Sequence, residues 1–265
     1  MMEKPQIHFV HANGFPAGTY RKLFSFLRDQ FEIGYLDRHG HNPDYPITPG
    51  WKHLKEELRS EIERRYRKPV IGLGHSLGGI LHLLTAADHP ELYRSVVLLD
   101  SPVISPLSSL ALKVIRKTGL GHRMSPTRET LRRRSVWKNT DEAFGHFAKK
   151  SKFRSFDEEV LRDYVEQGTV ENETGIRLFF EPEVEAGIYQ TLPEFLPRLR
   201  GRIKVPVAYI GGTRSREARL ARIGFMRKNF PFNYFFVEGT HLFPFENPKK
   251  TADLIKRAIR VNLNE

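Results

Sequence analysis

The chain has 265 residues, a formal net charge of +12 and no cysteine. The lack of cysteine excludes disulfides and thiolate chemistry, and no run of about 18 apolar residues is present that could span a membrane. A basic chain attracts anionic partners, but no helix-turn-helix, RNP or zinc pattern supports a nucleic-acid role. The first residues lack the apolar core of a signal peptide. We therefore expect a cytoplasmic protein that acts on a small molecule, and leave its oligomeric state open.

Strand-like and helix-like patterns alternate in the first hundred residues and again near the C-terminus. Such alternation predicts right-handed βαβ crossovers and an α/β fold with a doubly wound, mostly parallel sheet. The predicted strands are residues 7–10, 31–36, 70–74, 95–100, 205–210 and 232–237, and the predicted helices include residues 20–27, 51–62, 77–88 and 248–259. We expect a sheet of about six strands.

The alternation stops between residues 101 and 201, where amphipathic helical patterns dominate. Leu107, Leu110 and Val114 belong to one apolar stripe, and Val160, Leu161 and Tyr164 mark another helix. We therefore predict a core made of residues 1–100 and 202–265, with a helical insertion at 101–201. The first stripe is predicted to wall a substrate pocket; a basic amphipathic helix at a membrane surface is the alternative.

A single short motif suggests the chemistry. Residues 74–78 read Gly-His-Ser-Leu-Gly and fit G-x-S-x-G, in which a serine occupies a sharp turn between a strand and a helix. The flanking glycines allow the two elements to approach closely, and the helix N-terminus favours developing negative charge. A dinucleotide fingerprint fails here because Leu77 stands where its third glycine is required. The remaining alternative is a structural turn with an idle serine.

With this motif, residues 11–16 (His-Ala-Asn-Gly-Phe-Pro) and residues 239–241 (Gly-Thr-His), the sequence resembles the α/β-hydrolase superfamily, most closely small bacterial acyl esterases with a helical cap. The resemblance covers nearly the whole chain except the middle third. It implies that Ser76 is the nucleophile and His241 the base. It also implies that the backbone N–H groups of Phe15 and Leu77 form the oxyanion hole. No metal or cofactor is expected.

The triad acid departs from the commoner family pattern. Most members carry an aspartate just after the strand that corresponds to residues 205–210, but here no carboxylate follows until Glu217. A subset of the family uses an acid at the end of the strand that follows the nucleophile elbow. Asp100 matches that position, and the Gly-Gly-x-x-Ser run at 211–215 is similar to the later loop of the subset. We predict Asp100, with Glu217 as the alternative.

The resemblance implies a serine hydrolase that cleaves carboxylic esters. C–C bond hydrolysis and thioester hydrolysis or acyl transfer from acyl-CoA use the same triad and remain alternatives. A binding protein that has kept the pocket but lost turnover is a further alternative from a different class. The physiological substrate and the acyl chain length are not predicted.

Overall fold

The structure is a computed structural model that describes residues 4–118 and 126–265. Its first part alternates strands and helices in the order that the sequence predicts. These elements are β1 (Gln6–Val10), α1 (Arg21–Ser25), β2 (Glu32–Tyr35), α2 (Lys52–Arg65), β3 (Val70–His75), α3 (Leu77–Asp88) and β4 (Tyr93–Leu99). The strands β3 and β4 are almost wholly buried, as expected for a parallel sheet covered on both faces.

The insertion after β4 combines helices with a small antiparallel sheet. Its elements are α4 (Pro106–Lys117), α5 (Thr127–Arg132), β5 (Val136–Trp137), α6 (Thr140–Ala148), α7 (Glu158–Gly168), β6 (Thr169–Asn172), β7 (Gly175–Leu178) and α8 (Pro182–Gln190). The three strands pair in the order β5-β7-β6. The sequence analysis predicted helices here and missed this sheet, because its strands have only two to four residues. At the β6–β7 turn, Gly175 has φ +147°, and a Cβ there would lie 2.3 Å from the Trp137 carbonyl oxygen.

The apolar stripe of α4 does not pack into a core. The side chains of Leu107, Leu110 and Val114 are each more than half exposed. The helix was predicted correctly, but its stripe is exposed to solvent, and its role as a pocket wall stays a prediction. No helix in the described ranges is both long enough and apolar enough to cross a bilayer.

The last part of the chain completes the main sheet with β8 (Val207–Gly212), α9 (Arg216–Leu220), α10 (Ile223–Asn229), β9 (Asn233–Val237), α11 (Phe243–Glu246) and α12 (Pro248–Leu263). The main sheet has six strands in the order β2-β1-β3-β4-β8-β9. Every neighbouring pair is parallel. This confirms the predicted doubly wound sheet. Alternate strand residues face two apolar layers, one of which contains α1 and α12 and the other α2 and α3.

Candidate active site

Ser76 occupies a strained turn between β3 and α3. Its backbone has φ 54° and ψ −111°, a conformation that costs a non-glycine residue roughly 1–3 kcal/mol. The neighbouring glycines permit the turn: a Cβ on Gly74 would lie 2.2 Å from the Gly78 carbonyl carbon, and one on Gly78 would lie 2.1 Å from the Val10 carbonyl oxygen. The predicted nucleophile therefore sits at the N-terminus of α3 and remains partly accessible.

Asp100 directly follows β4 and is fully buried. Its Oδ1 accepts hydrogen bonds from the Tyr209 hydroxyl (3.1 Å) and the Gly212 N–H (3.2 Å). Its Oδ2 accepts from Ser215 Oγ (2.5 Å) and from His241 Nδ1 (2.6 Å). Burial alone would raise the pKa of Asp100, but the hydrogen bond and charge of His241, together with the Ser215 bond, outweigh burial and lower it. Asp100 is therefore ionised at neutral pH.

His241 lies in the loop between β9 and α11, and Glu246 holds this loop in place. The Glu246 carboxylate accepts hydrogen bonds from the backbone N–H of Thr240 (3.0 Å) and from the Thr240 hydroxyl. Gly239 has φ +154°, and a Cβ there would lie 2.8 Å from Glu246 Oε2. These contacts hold the loop in a position from which the His241 ring reaches Asp100 at the end of β4.

The geometry separates the two candidate acids. His241 Nδ1 is 2.6 Å from Asp100 Oδ2 but 4.0 Å from Glu217 Oε2. Asp100 is fully buried, whereas about half of the Glu217 side chain is exposed. Because the partner of Nδ1 determines which ring nitrogen carries the proton, Asp100 places the proton on Nδ1 and leaves Nε2 as the acceptor. Asp100 is therefore the better candidate.

Two contacts bring Ser76 to this Asp100–His241 pair. The backbone N–H of Ser76 donates to the carbonyl of Leu99, the residue before Asp100 (2.9 Å). His75 is the residue before Ser76, and its ring Nε2 is 2.9 Å from the carbonyl oxygen of His241. The three residues that the sequence analysis selected therefore lie at the carboxyl ends of β3, β4 and β9, on the same edge of the sheet.

His75 also links this cluster to the loop after β1. Burial, and then the charge of His241, lower the pKa of His75 to about 3, so the ring is neutral. Nε2 must donate to the His241 carbonyl, and Nδ1 therefore accepts from the Tyr20 hydroxyl at 2.7 Å. The same hydroxyl accepts from the Ala12 N–H at 3.1 Å. This relay ties the Ser76 turn, the His241 loop and the residue 12–15 turn together.

The residue 12–15 turn carries the N–H of Phe15, one of the two predicted oxyanion-hole donors. The N–H of Phe15 donates to the Ala12 carbonyl at 3.0 Å and closes the turn, in which Gly14 has φ +79°. The predicted donor is thus already used within its own loop. In the described parts of the chain, no protein acceptor pairs with the N–H of Leu77 or of Asn13. These two groups are the free candidates.

A buried ion pair of the insertion packs on this turn. Glu185 of α8 is 2.6 Å from Arg133 and accepts a hydrogen bond from the Thr130 hydroxyl at 3.2 Å. A Cβ on Gly14 would lie 2.5 Å from Glu185 Oε2, and the Asn13 side chain donates to the Glu185 carbonyl at 3.0 Å. The insertion therefore holds the loop that carries Asn13.

A metal is a poorer fit to these residues than a triad. Ligand atoms of Asp100, Glu217 and His241 all lie within 4.8 Å of one another, close enough to share a cation. However, both oxygens of Asp100 already accept two hydrogen bonds each. Since a carboxylate has about four lone-pair sites, Asp100 has none left for a cation.

Several supporting residues were missed by sequence reasoning. Tyr20 was recognised only as part of a helical stripe and Tyr209 only as a strand residue, and His75 and Glu185 were given no role. Nothing in the local pattern around these residues indicates their partners, because each contact crosses from one element to another. Ser215 alone had a signal, the Gly-Gly-x-x-Ser run.

Comparison with known proteins identifies the family of this chain. The model of the alpha/beta hydrolase family matches residues 9–254, and the chain belongs to that family. The abhydrolase domain-containing protein AFT2-1 of Alternaria alternata is 25% identical over 228 residues, which cover 71% of this chain and 82% of the relative.

Two solved structures have the same fold. E-2-(acetamidomethylene)succinate hydrolase is 22% identical, with a TM-score of 0.77 over 97% of this chain and 92% of that one. A thioesterase domain from the curacin biosynthetic pathway is 16% identical, with a TM-score of 0.69 over 96% of this chain and 91% of that one. The family match supports a hydrolase, and the two solved structures show that the fold is shared.

Proposed function

We propose that this protein is a serine hydrolase that cleaves carboxylic esters through an acyl-enzyme on Ser76. The observation that carries the proposal is the 2.6 Å contact between His241 Nδ1 and buried, ionised Asp100. A serine hydroxyl is a weak nucleophile until a base accepts its proton, and the base needs an acid that sets its tautomer and stabilises its charged form. The strained turn of Ser76 beside this pair supplies the third component.

In the proposed reaction, Ser76 Oγ attacks the ester carbonyl carbon while its proton passes to His241 Nε2. The N–H groups of Leu77 and Asn13 stabilise the oxyanion of the tetrahedral intermediate, with Asn13 in place of Phe15. Collapse of this intermediate breaks the ester C–O bond, and the alcohol leaves with the proton from His241. Water then attacks the acyl-enzyme carbonyl while His241 accepts its proton. The second tetrahedral intermediate breaks its bond to Ser76 Oγ, which takes the proton back from His241, and the carboxylic acid is released.

The elements around Ser76 support the proposed reaction by stabilising charge and by positioning the reacting groups. The N-terminus of α3 carries partial positive charge, which stabilises the oxyanion where it forms. The His75–Tyr20 relay holds the His241 loop and the residue 12–15 turn in register with the serine. Positioning of this kind reduces the reorganisation that the transition state requires.

The test is covalent labelling followed by an ester panel. An activated fluorophosphonate is expected to add one label, and peptide mapping is expected to place it on Ser76; Ser76→Ala is the matched control. A burst of p-nitrophenol from p-nitrophenyl esters would report the acyl-enzyme. Labelling at another serine, or none in a folded protein, would contradict the proposal, and thioester and dienoate substrates in the same panel separate it from the alternatives that share the triad.

A further inference from the structure

One cation of the insertion stands at the edge of the proposed active site. Lys152 lies in a short turn, Ser151–Phe153, between α6 and α7. Its Nζ is 4.8 Å from the centroid of the Phe15 ring. Phe15 closes the turn that carries Asn13, so this ammonium lies beside the loop that faces the substrate in the proposed reaction.

Protein atoms surround the Lys152 side chain without excluding solvent from it. The residue is exposed to solvent, yet burial by surrounding protein atoms lowers its pKa despite the opposing charges of Glu185 and Glu217. Its charge in turn helps to lower the pKa of His75, after the larger effects of burial and of His241.

No carboxylate of the described residues forms an ion pair with Lys152. The nearby Glu185 is already bound to Arg133 at 2.6 Å and to the Thr130 hydroxyl. Glu217 contacts His241 at 4.0 Å and is half exposed, so solvent screens its charge. Among the described residues, the Lys152 ammonium therefore has no direct carboxylate partner.

We propose that Lys152 binds a carboxylate of the substrate, so that the preferred substrates are esters that carry one additional carboxylate group. This inference rests on the proposed function and specifies its substrate class. A single unpaired ammonium matches one negative charge. A partly desolvated lysine gains more from such a contact than one on an open surface.

The experiment compares anionic and neutral esters of matched length. p-Nitrophenyl hydrogen glutarate and p-nitrophenyl valerate differ by a carboxylate on the acyl part; 4-carboxyphenyl valerate and phenyl valerate differ by one on the alcohol part. We expect the anionic-to-neutral ratio of kcat/KM to fall about 10- to 100-fold in Lys152→Met for at least one pair. Lys152→Arg is expected to keep most of the ratio, and added salt to lower it in the wild type.

The control is Lys149→Met, which removes an exposed lysine three residues away and is expected to leave both ratios unchanged. If Lys152→Met leaves both ratios unchanged, or Lys149→Met lowers them equally, the inference is wrong. A binding measurement separates this failure from failure of the proposed function. Ser76→Ala should bind monoethyl glutarate more tightly than diethyl glutarate, and Lys152→Met in that background should remove the difference, whether or not the wild type turns over esters.

Discussion

Asp100→Asn changes one atom at the centre of the proposed triad, and the structure defines its consequence. Oδ1 accepts from Tyr209 and Gly212, so the amide oxygen takes that position. The amide nitrogen then replaces Oδ2 and faces Ser215 Oγ and His241 Nδ1. Because an amide nitrogen can only donate, His241 must accept at Nδ1 and carry its proton on Nε2.

This tautomer cannot accept the Ser76 proton. Reversal of the histidine tautomer by an aspartate-to-asparagine change in a serine–histidine–aspartate triad lowers kcat about 10⁴-fold. At about 1.36 kcal/mol for each factor of ten, the activation barrier rises by about 5 kcal/mol. Ser215 also loses the acceptor for its hydroxyl proton, which destabilises the fold by about 1–3 kcal/mol.

The assay is kcat on a p-nitrophenyl ester, measured below the melting temperature of each variant so that stability and chemistry are separated. Glu217→Gln is the matched control: its carboxylate is half exposed and 4.0 Å from His241 Nδ1, so we expect most of the activity to remain. An active, folded Asp100→Asn together with an inactive Glu217→Gln would refute the reasoning and assign the acid to Glu217.

Three further predictions concern the fold and the relay. We expect the free energy of unfolding to fall by about 2 kcal/mol per buried histidine between pH 7 and pH 5, because each histidine is neutral when folded and protonates on unfolding. Denaturant titrations at both pH values measure this free energy. Equal free energies of unfolding at the two pH values would contradict the prediction. The histidines concerned, which are fully buried with lowered pKa values, are His8, His11, His75 and His82. Gly78→Ala is expected to lower the melting temperature strongly, because the new Cβ would lie 2.1 Å from the Val10 carbonyl oxygen. Gly224→Ala on α10 is the control and is expected to have little effect, because nothing lies within 4 Å of its Cβ position. Similar changes in melting temperature for both variants would contradict the argument from the close approach at Gly78. Tyr20→Phe removes a hydroxyl that bridges Ala12 and His75. We therefore expect the free energy of unfolding to fall by about 1–3 kcal/mol and kcat to fall as well. Unchanged values of both quantities would show that the relay has no role.

Local patterns in the sequence determined the main sheet and the predicted nucleophile. The alternation of strands and helices predicted six parallel strands, and G-x-S-x-G identified the turn at Ser76, because both signals depend on residues close together in the chain. The same locality explains the failures in the insertion: β5 to β7 are too short for a period-2 pattern to stand out, and the stripe of α4 does not indicate what it faces.

Only the tertiary structure decided which groups meet. Asp100 and Glu217 were both open until the His241 loop placed Nδ1 2.6 Å from one and 4.0 Å from the other. The N–H of Phe15, a predicted oxyanion-hole donor, forms a hydrogen bond inside its own turn, which the local sequence did not indicate. The relay through Tyr20 and the position of Lys152 over the Phe15 ring join residues 55 and 137 positions apart. A sequence pattern records the neighbours of a residue along the chain, whereas these contacts depend on how strands, loops and the insertion pack against one another.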